Sequence, residues 1–292
     1  MPSIAICLAC FNRREKTLRC LESLKKLHAP PSVRLQIYLV DDASPDGTGQ
    51  AVRDQFPDVR LIEGNGNLFW GGGMHLAFGT AMQEGHDFYL WLNDDEDLFP
   101  DLIPRLLDTH QTVSDHGKRR AIIVGSSCDP DNGQPTYGGR FRPHFSPVNF
   151  QYIPPHPTEP RECETMNGNI VLIPADVSKA VGNIDPGFRQ QMGDFDYGLR
   201  ARRLGIQVWL CPGFVGTCAP NIVKNRWKSR TTSLRQRLKI VNTPLGLPFR
   251  DWLTFAARHG GVLGLLFGLA AYRRVLLPDK RASNSNPTAT KT

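Results

Sequence analysis

Pairs of aspartates stand directly after apolar stretches, or at the start of a predicted helix, at three places in this sequence. Asp41 and Asp42 follow LQIYLV (35–40). Asp94 and Asp95 follow DFYLWL (87–92) and belong to the acidic stretch LNDDED (92–97). Asp194 and Asp196 lie at the start of a predicted helix. Clustered carboxylates repel one another unless a cation neutralises them, and hard divalent cations prefer oxygen ligands. The pattern predicts a cation site that holds a phosphate group. For Asp94–Asp97 taken alone, a solvated loop that caps a helix is the competing interpretation.

The elements that would bring these aspartates together follow from the hydrophobic pattern. Apolar runs at 3–10, 35–40, 59–63 and 87–92 predict buried strands, and the stretches between them predict helices. One helix is expected to follow a Gly-rich loop at 64–74 and to end near Glu84. Alternating strands and helices over the first 125 residues favour a Rossmann-like α/β sheet. Ligands of such sheets bind at the carboxyl ends of the strands, where the first two aspartate pairs lie.

The second half of the chain is less regular. Residues 126–165 are rich in Pro, Gly and Asn, which predicts mostly loop with one or two short strands. A strand at 167–174, helices from Ala175 and over 194–205, and a last strand at 207–213 are expected to follow. The predicted domains are a catalytic domain over 1–222, a basic amphipathic helical extension over 223–281, and a disordered tail over 282–292.

Composition and charge exclude several classes of protein. The net charge is +7, but 14 of the 35 Lys and Arg fall in residues 224–292, against two acids, Asp251 and Asp279. That segment carries no recognised nucleic-acid motif, so no nucleic-acid partner is expected. The N-terminus lacks a signal-peptide pattern, and no apolar run reaches ~18 residues, so no transmembrane helix is expected. Seven cysteines, with a lone C-x-x-C at Cys7 and Cys10, predict reduced core thiols of a cytoplasmic protein.

Five motifs in a fixed order give the chain a resemblance to a known family. They are CLACFNRREKTLRCLESL (7–24), YLVDDASPDGT (38–48), GNGNLFWGGGM (64–74), LNDDEDLFPD (92–101) and GDFDYGLRARRLG (193–205). Over about residues 1–220 the chain resembles the family 2 glycosyltransferases of the GT-A fold. Among them it is most similar to the rhamnosyltransferase-like enzymes of bacterial surface polysaccharide synthesis. The resemblance implies a Rossmann-like mixed sheet flanked by helices, and an inverting hexosyltransferase that uses Mg²⁺ or Mn²⁺.

The resemblance also implies roles for individual residues. Asp95 falls on the metal ligand that bridges to the donor diphosphate, and Asp194 falls on the catalytic base. Asp42 falls where the family contacts the donor base, and Asp94 falls where it approaches the ribose. The full set expected to bind the nucleotide-sugar is Ala9, Phe11, Asp42, Asn67, Gly72 and Asp94.

Two departures from the family pattern bear on the site. Gly193 stands where the family often has a Glu before the catalytic Asp, while Asp194 itself is kept. Near the place of a late metal-binding His, the chain reads GFVGTCAPN (213–221), which contains no His. One or two carboxylates suffice for Mg²⁺, which keeps several waters and takes substrate phosphates. Trp70, inside the Gly-rich motif, is equally consistent with a substrate contact and with ordinary packing.

The expected reaction moves a sugar from a nucleotide-diphospho-sugar, either dTDP-rhamnose or a UDP-hexose, to a hydroxyl of a saccharide or lipid-linked saccharide. Asp194 would take the proton of that hydroxyl as general base. A nucleotidyltransferase on a related fold is one alternative, but it usually carries a Gly-rich signature after the first strand, where this chain reads FNRRE. A non-catalytic nucleotide-sugar-binding or scaffold protein on the same fold is the other, and loss of Asp95 or Asp194 would have favoured it.

The C-terminal segment mixes basic residues with bulky apolar ones. Residues 224–240 are strongly basic, and residues 247–278 are apolar with interspersed arginines. Such a pattern is typical of helices that lie on anionic lipid. We expect a peripheral contact through 224–278 with the inner face of the cell membrane, or else a helix pair that packs on the catalytic domain or in a homodimer interface.

Overall fold

The computed structural model describes residues 1–115, 117, 120–143, 146–221 and 232–277, which belong to two compact units. The first unit comprises residues 1–142 and 150–220, and the second comprises residues 143–149 and Asn221–Thr292. The basic residues of 224–231 and the tail expected over 282–292 lie outside the described residues. Each unit is described by itself below.

A ten-stranded mixed sheet forms the centre of the first unit. Its order is β10-β13-β6-β12-β4-β1-β2-β3, with β5 paired to β13 and β7 paired to β6, while β11, β8 and β9 form a separate small sheet. The expected mixed α/β architecture is confirmed. The strands are β1 Ser3–Cys10, β2 Arg34–Asp41, β3 Arg60–Glu63, β4 Phe88–Leu92, β5 Asp97–Leu98, β6 Ala121–Cys128, β7 Pro135–Tyr137, β8 Gly139–Phe141, β9 Gln151–Tyr152, β10 Arg161–Cys163, β11 Thr165–Met166, β12 Ile170–Pro174 and β13 Gln207–Thr217.

Six helices of the first unit cover the two faces of the large sheet. One face packs against α3, α5 and α6, and the other packs against α1, α2 and α4. Because side chains alternate along β1, Cys7 and Cys10 point to opposite faces, and all seven cysteines are free and buried. The helices are α1 Arg14–Lys25, α2 Thr48–Gln55, α3 Phe69–Glu84, α4 Leu102–Asp115, α5 Ala175–Val181 and α6 Gly193–Arg203.

The region from 126 to 165 holds more strands than its composition predicts. Five short strands, β7 to β11, lie between Pro135 and Met166. Each is only two or three residues long, so none shows an alternating pattern that could be recognised in the sequence. The partner of β10 also lies far along the chain, since β10 is antiparallel to β13 with Cys163 opposite Val208.

The strand order brings the first two aspartate pairs to one edge of the sheet, whereas Asp196 of the third pair is buried in α6 and paired with Arg200 at 2.7 Å. Strand β1 lies between β2 and β4 and runs parallel to both, so the ends of all three strands meet. Strand β12 enters antiparallel between β4 and β6, with Ile170 opposite Leu92. The residues just before β12 therefore lie beside the residues just after β4, and Asn93 N–H donates to the Asn169 carbonyl at 3.0 Å.

The glycine run expected in a loop lies instead in the first turns of α3. Glycine is a poor helix former, so tertiary contacts must explain its presence there. A Cβ added at Gly73 would lie 2.6 Å from the Cβ of Ala9, and one at Gly71 would collide with the Phe188 carbonyl. The glycines therefore let α3 approach the end of β1 closely.

The described part of the second unit contains helix α7 (Leu234–Val241) and helix α8 (Phe249–Leu276). By length and composition Phe249–Arg273 is long and apolar enough to cross a membrane, which the sequence did not lead us to expect. Gly261, with φ 57° and ψ −146°, divides α8 into two segments. The segments run antiparallel, since the indole N–H of Trp252 donates to the Gly268 carbonyl at 2.9 Å and the Phe249 and Tyr272 rings lie 5.0 Å apart.

Candidate active site

The acid pair after β4 is buried and is neutralised by Arg13, directly before α1, and by Lys16 of α1. Asp94 is 1% exposed and Asp95 is 5% exposed. One guanidinium nitrogen of Arg13 lies 3.1 Å from Asp94, the other lies 2.9 Å from Asp95, and the Lys16 ammonium lies 3.6 Å from Asp95. The solvated-loop interpretation is therefore wrong for these two carboxylates. Asp97 has a half-exposed side chain that pairs with Arg19 at 2.9 Å, but it begins strand β5 and is not in a loop.

One oxygen of Asp95 fits the role of a metal ligand. Its Oδ1 is buried and has no hydrogen-bond partner within the described part of the chain, whereas Oδ2 accepts from Arg13. A buried carboxylate oxygen without a partner is costly, and a divalent cation would satisfy it. Among the described residues no group of three His, Cys, Asp or Glu could hold a metal. The protein would thus supply one carboxylate, and substrate phosphates and water would complete the coordination.

Behind the pair lies a third acid that the sequence did not single out. Glu96 is fully buried, and it accepts hydrogen bonds from the Ser127 hydroxyl and the Asn169 amide, each at 2.7 Å. Burial raises the pKa of Glu96 to about 8, so this side chain is mostly protonated at neutral pH. Burial also raises the pKa of Asp94 to about 6, although the nearby Arg13 guanidinium opposes the shift. Through its hydrogen bonds to Ser127 and Asn169, Glu96 connects the end of β4 with β6 and with the start of β12.

The carboxylate of Asp42 organises the loop that precedes α3. Its Oδ1 accepts the Gly66 N–H at 2.8 Å, and its Oδ2 accepts the N–H groups of Leu68 and Phe69 at 2.8 and 3.1 Å. Asp42 thus satisfies backbone donors at the start of the helix, as a capping side chain does. The contact with the donor base stays a prediction for this residue.

The remaining residues expected at the donor lie around the same edge. Ala9 is buried near the end of β1, and Phe11, just beyond that strand, is 47% exposed. The neighbouring Asn12 N–H donates to the Ser44 hydroxyl at 2.9 Å, which joins this loop to the turn after Asp42. Asn67 is exposed and Gly72 is half-buried. Their roles in binding likewise stay predictions.

Asp194 lies in the first turn of α6, on the other side of the site. Its Oδ2 accepts the Gly168 N–H at 2.9 Å, and its Oδ1 accepts its neighbour's N–H, from Phe195, at 2.8 Å. Burial raises the pKa of Asp194, which makes its carboxylate a better base than an exposed one. Gly193 stands where the family often has Glu, and there is little room for a side chain at this position. A Cβ at Gly193 would lie 3.2 Å from the Ile184 side chain.

Trp70 lies between the acid pair after β4 and the residue that holds Asp194. Its indole N–H donates to Asn93 Oδ1 at 2.7 Å, and Asn93 directly precedes the acid pair. Its ring lies over Gly168, where an added Cβ would be 2.5 Å from Trp70 Cζ2. Gly168 in turn holds Asp194. Sequence reasoning missed Arg13, Lys16, Asn93 and Gly168. Arg13 and Lys16 could have been found in the sequence, because FNRREK places two basic residues three apart at the start of a predicted helix. Nothing in the sequence indicated the role of Gly168.

Comparisons with known proteins agree with this geometry. Residues 5–149 match the family model for glycosyl transferase family 2. Over 99 residues the chain is 29% identical to the undecaprenyl-phosphate mannosyltransferase of Micrococcus luteus, and the match covers 32% of this chain. It spans 37% of that enzyme, little more than a third of its length.

Two solved structures share the fold. The S. aureus TarS 1–349 structure superposes with a TM-score of 0.52 at 13% identity, covering 94% of this chain and 73% of that chain. The Pyrobaculum calidifontis mannosyltransferase PcManGT, in complex with GDP-Man and Mn²⁺, gives a TM-score of 0.52 at 14% identity, covering 93% and 75%. These likenesses confirm the expected GT-A fold. With its five ordered motifs, its sheet and its family match, the chain belongs to glycosyl transferase family 2.

Proposed function

We propose that this chain is an inverting glycosyltransferase of the cytoplasm that moves a sugar from a nucleotide-diphospho-sugar to a hydroxyl of a saccharide or lipid-linked saccharide. One observation carries the proposal: Trp70 contacts both Asn93, which precedes the buried acid pair, and Gly168, which holds the half-buried Asp194. One oxygen of that pair has no partner among the described residues. The family match gives the chemistry that such a pair of sites performs.

The surroundings of Asp194 support its proposed role as the base. Two backbone N–H groups fix the Asp194 carboxylate, and burial keeps water from solvating it fully. Asp194 takes the proton of the acceptor hydroxyl, and the oxygen attacks the anomeric carbon on the face opposite the nucleotide. The bond to the nucleotide diphosphate breaks in line, so the configuration of the sugar inverts.

Positive charge lies beside the acid pair, where the nucleotide diphosphate would depart. Arg13 and Lys16 bring two cations to the Asp94–Asp95 pair. When bound at Asp95, Mg²⁺ or Mn²⁺ would supply Lewis-acid stabilisation of the departing diphosphate.

The donor and the acceptor follow from likeness to relatives. The expected donors are dTDP-rhamnose and a UDP-hexose, and PcManGT, which was solved with GDP-Man and Mn²⁺, adds a guanine nucleotide to the set. A polyprenyl-phosphate acceptor is named for the Micrococcus enzyme, which supports a lipid-linked acceptor and a role in surface polysaccharide synthesis. Such an acceptor would place the protein at the inner face of the cell membrane.

Calorimetric titration with UDP, dTDP and GDP, in Mg²⁺, in Mn²⁺ and in EDTA, tests the proposal. We expect metal-dependent binding of one nucleotide, and its loss in Asp95→Ala because that variant removes the buried ligand. Asp97→Ala is the matched control, since Asp97 belongs to the same acidic run but pairs with Arg19 at the surface. If none of the nucleotides binds the folded protein, or if Asp95→Ala binds as well as the wild type, the proposal fails.

A further inference from the structure

Most exposed large hydrophobic residues of the described chain lie in its C-terminal helices. Of sixteen exposed large hydrophobic residues in the described chain, twelve lie between Leu234 and Leu277. Eight of these belong to residues 262–277, the outer segment of α8 and the residue after it. Contiguous apolar surface of this kind marks an interaction site, whereas single exposed leucines need no explanation.

The two segments of α8 form a helical hairpin over residues 249–276, called the C-terminal hairpin below. Small residues allow close contact between the segments, since a Cβ at Gly268 would lie 3.0 Å from that of Ala256. The inner segment, 249–260, buries Trp252, Phe255 and Ala256. The outer segment buries Gly264, Gly268 and Val275 along one stripe and leaves its other faces to solvent.

The outer segment has the composition of a lipid-facing helix. No charged residue occurs from His259 to Tyr272, and exposed side chains there include Val262 at 78%, Leu263 at 64% and Leu266 at 60%. At ~1.5 Å per residue the fifteen residues 262–276 extend ~22 Å, which is short of a ~30 Å hydrocarbon core. The hairpin can therefore enter one leaflet but cannot cross the bilayer.

Basic residues surround the open end of the hairpin. Arg250 and Arg273 are exposed there, and α7 packs against this end, since Val241 and Val275 share a small core. Arg235 and Lys239 of α7 are exposed as well. Arg258, near the turn, is half-buried on the inner segment, and Asp251 is the one acid of residues 232–277. This arrangement complements anionic headgroups around an inserted apolar turn.

We propose that the C-terminal hairpin inserts its outer segment into one leaflet of an anionic membrane, as a monotopic anchor. The occupant of the apolar face is lipid, because the flanking charge is basic and the face itself carries no polar group that a protein partner would recognise. Within the basic extension, residues 262–272 enter the leaflet, while the basic residues around the open end of the hairpin contact the headgroups. It does not depend on the transferase reaction.

Flotation of the full chain with phosphatidylglycerol–phosphatidylcholine vesicles tests the anchor. We expect binding to the mixed vesicles and weaker binding to pure phosphatidylcholine. Leu263→Asp with Leu266→Asp should reduce binding at least tenfold per leucine, because each site loses the burial of a whole side chain. Arg235→Gln and Lys239→Gln should each reduce it about fivefold on the anionic vesicles. Leu204→Asp, at a 53% exposed leucine of the first unit, is the matched control and should bind normally.

A second measurement reports insertion directly. Because all seven native cysteines are buried, a cysteine introduced as Val262→Cys can be labelled selectively with an environment-sensitive fluorophore. Vesicles should shift its emission to the blue and increase its intensity. Absence of both flotation and the shift overturns the proposal. A dimer seen by sedimentation without lipid, lost in the double leucine variant, together with no flotation, would assign the face to a second copy instead. Nucleotide titration of the same variants separates this result from the transferase proposal.

Discussion

Adding one methyl group at Gly168 should disturb both halves of the candidate active site. In Gly168→Ala the new Cβ would lie 2.5 Å and 2.6 Å from Trp70 Cζ2 and Cη2. Carbon atoms are in contact at about 3.5–4.0 Å, so the backbone or the indole must move by about 1 Å. Movement of the indole breaks its 2.7 Å bond to Asn93, and movement of the backbone breaks the 2.9 Å bond from Gly168 to Asp194.

The expected magnitudes follow from these two consequences. Overpacking costs about 1–3 kcal/mol and a lost hydrogen bond about 1 kcal/mol, so the free energy of unfolding should fall by about 2–4 kcal/mol. A displacement of about 1 Å at a reacting group costs about 10²-fold in turnover. Urea denaturation and the release of nucleotide diphosphate from the donor measure the two effects.

Two further variants make this test specific. Trp70→Phe in the Gly168→Ala background removes the two clashing carbons, so stability should partly recover although the bond to Asn93 is lost. Gly187→Ala is the control, because its Cβ would meet only the Asp185 side chain, at 3.0 Å. A Gly168→Ala variant with wild-type stability and turnover would refute the tight contact between Trp70 and Gly168.

Two other substitutions test the acids separately. Asp194→Asn should keep nucleotide binding but lower transfer by about 10²–10⁴-fold, which is the usual contribution of a general base. In wild type, burial raises the pKa of Asp194, so turnover should fall as the pH drops through a value above the ordinary ~3.9. Near-normal turnover of Asp194→Asn would reject it as the base. Glu96→Gln should change how stability depends on pH in EDTA. The pKa of Glu96 is about 8 in the fold and about 4.3 in the unfolded chain, so its contribution is complete below pH ~4.3 and is lost as the pH rises through 8. Between pH 5 and pH 9 Glu96 alone should account for about 4 kcal/mol of the unfolding free energy that wild type loses. Glu96→Gln should lose that much less and keep only the smaller loss from Asp94. Equal urea-denaturation profiles for the two proteins would contradict the burial of Glu96.

The long elements and the acidic edge could be predicted from the sequence because their signals are local. Strands such as Ser3–Cys10 are continuous apolar runs, and Asp42 and Asp95 lie within three residues of the ends of such runs. Any fold that aligns those strands in parallel brings the aspartates together. The resemblance of five ordered motifs then supplied the family, which the comparisons confirm.

What could not be predicted depends on contacts between distant residues. The helical state of Gly71 and Gly73 is imposed by Phe188 and Ala9, which lie far away in the sequence. The burial of Glu96 depends on its hydrogen bonds with Ser127 and Asn169. The continuous apolar sequence of α8 does not reveal that the chain reverses direction at Gly261. Each of these features overrides a local preference.

The position of β12 has a consequence for how the protein is synthesised and produced. Strand β4, whose FYLWL sequence is almost entirely buried, has β1 on one edge and β12 on the other. The ribosome must add the 77 residues that separate Leu92 from Ile170 before that second edge can be covered. An apolar edge left open for that long is prone to aggregate. A fragment cut where the family match ends, at residue 149, would leave this edge open permanently, so expression boundaries should extend beyond β13.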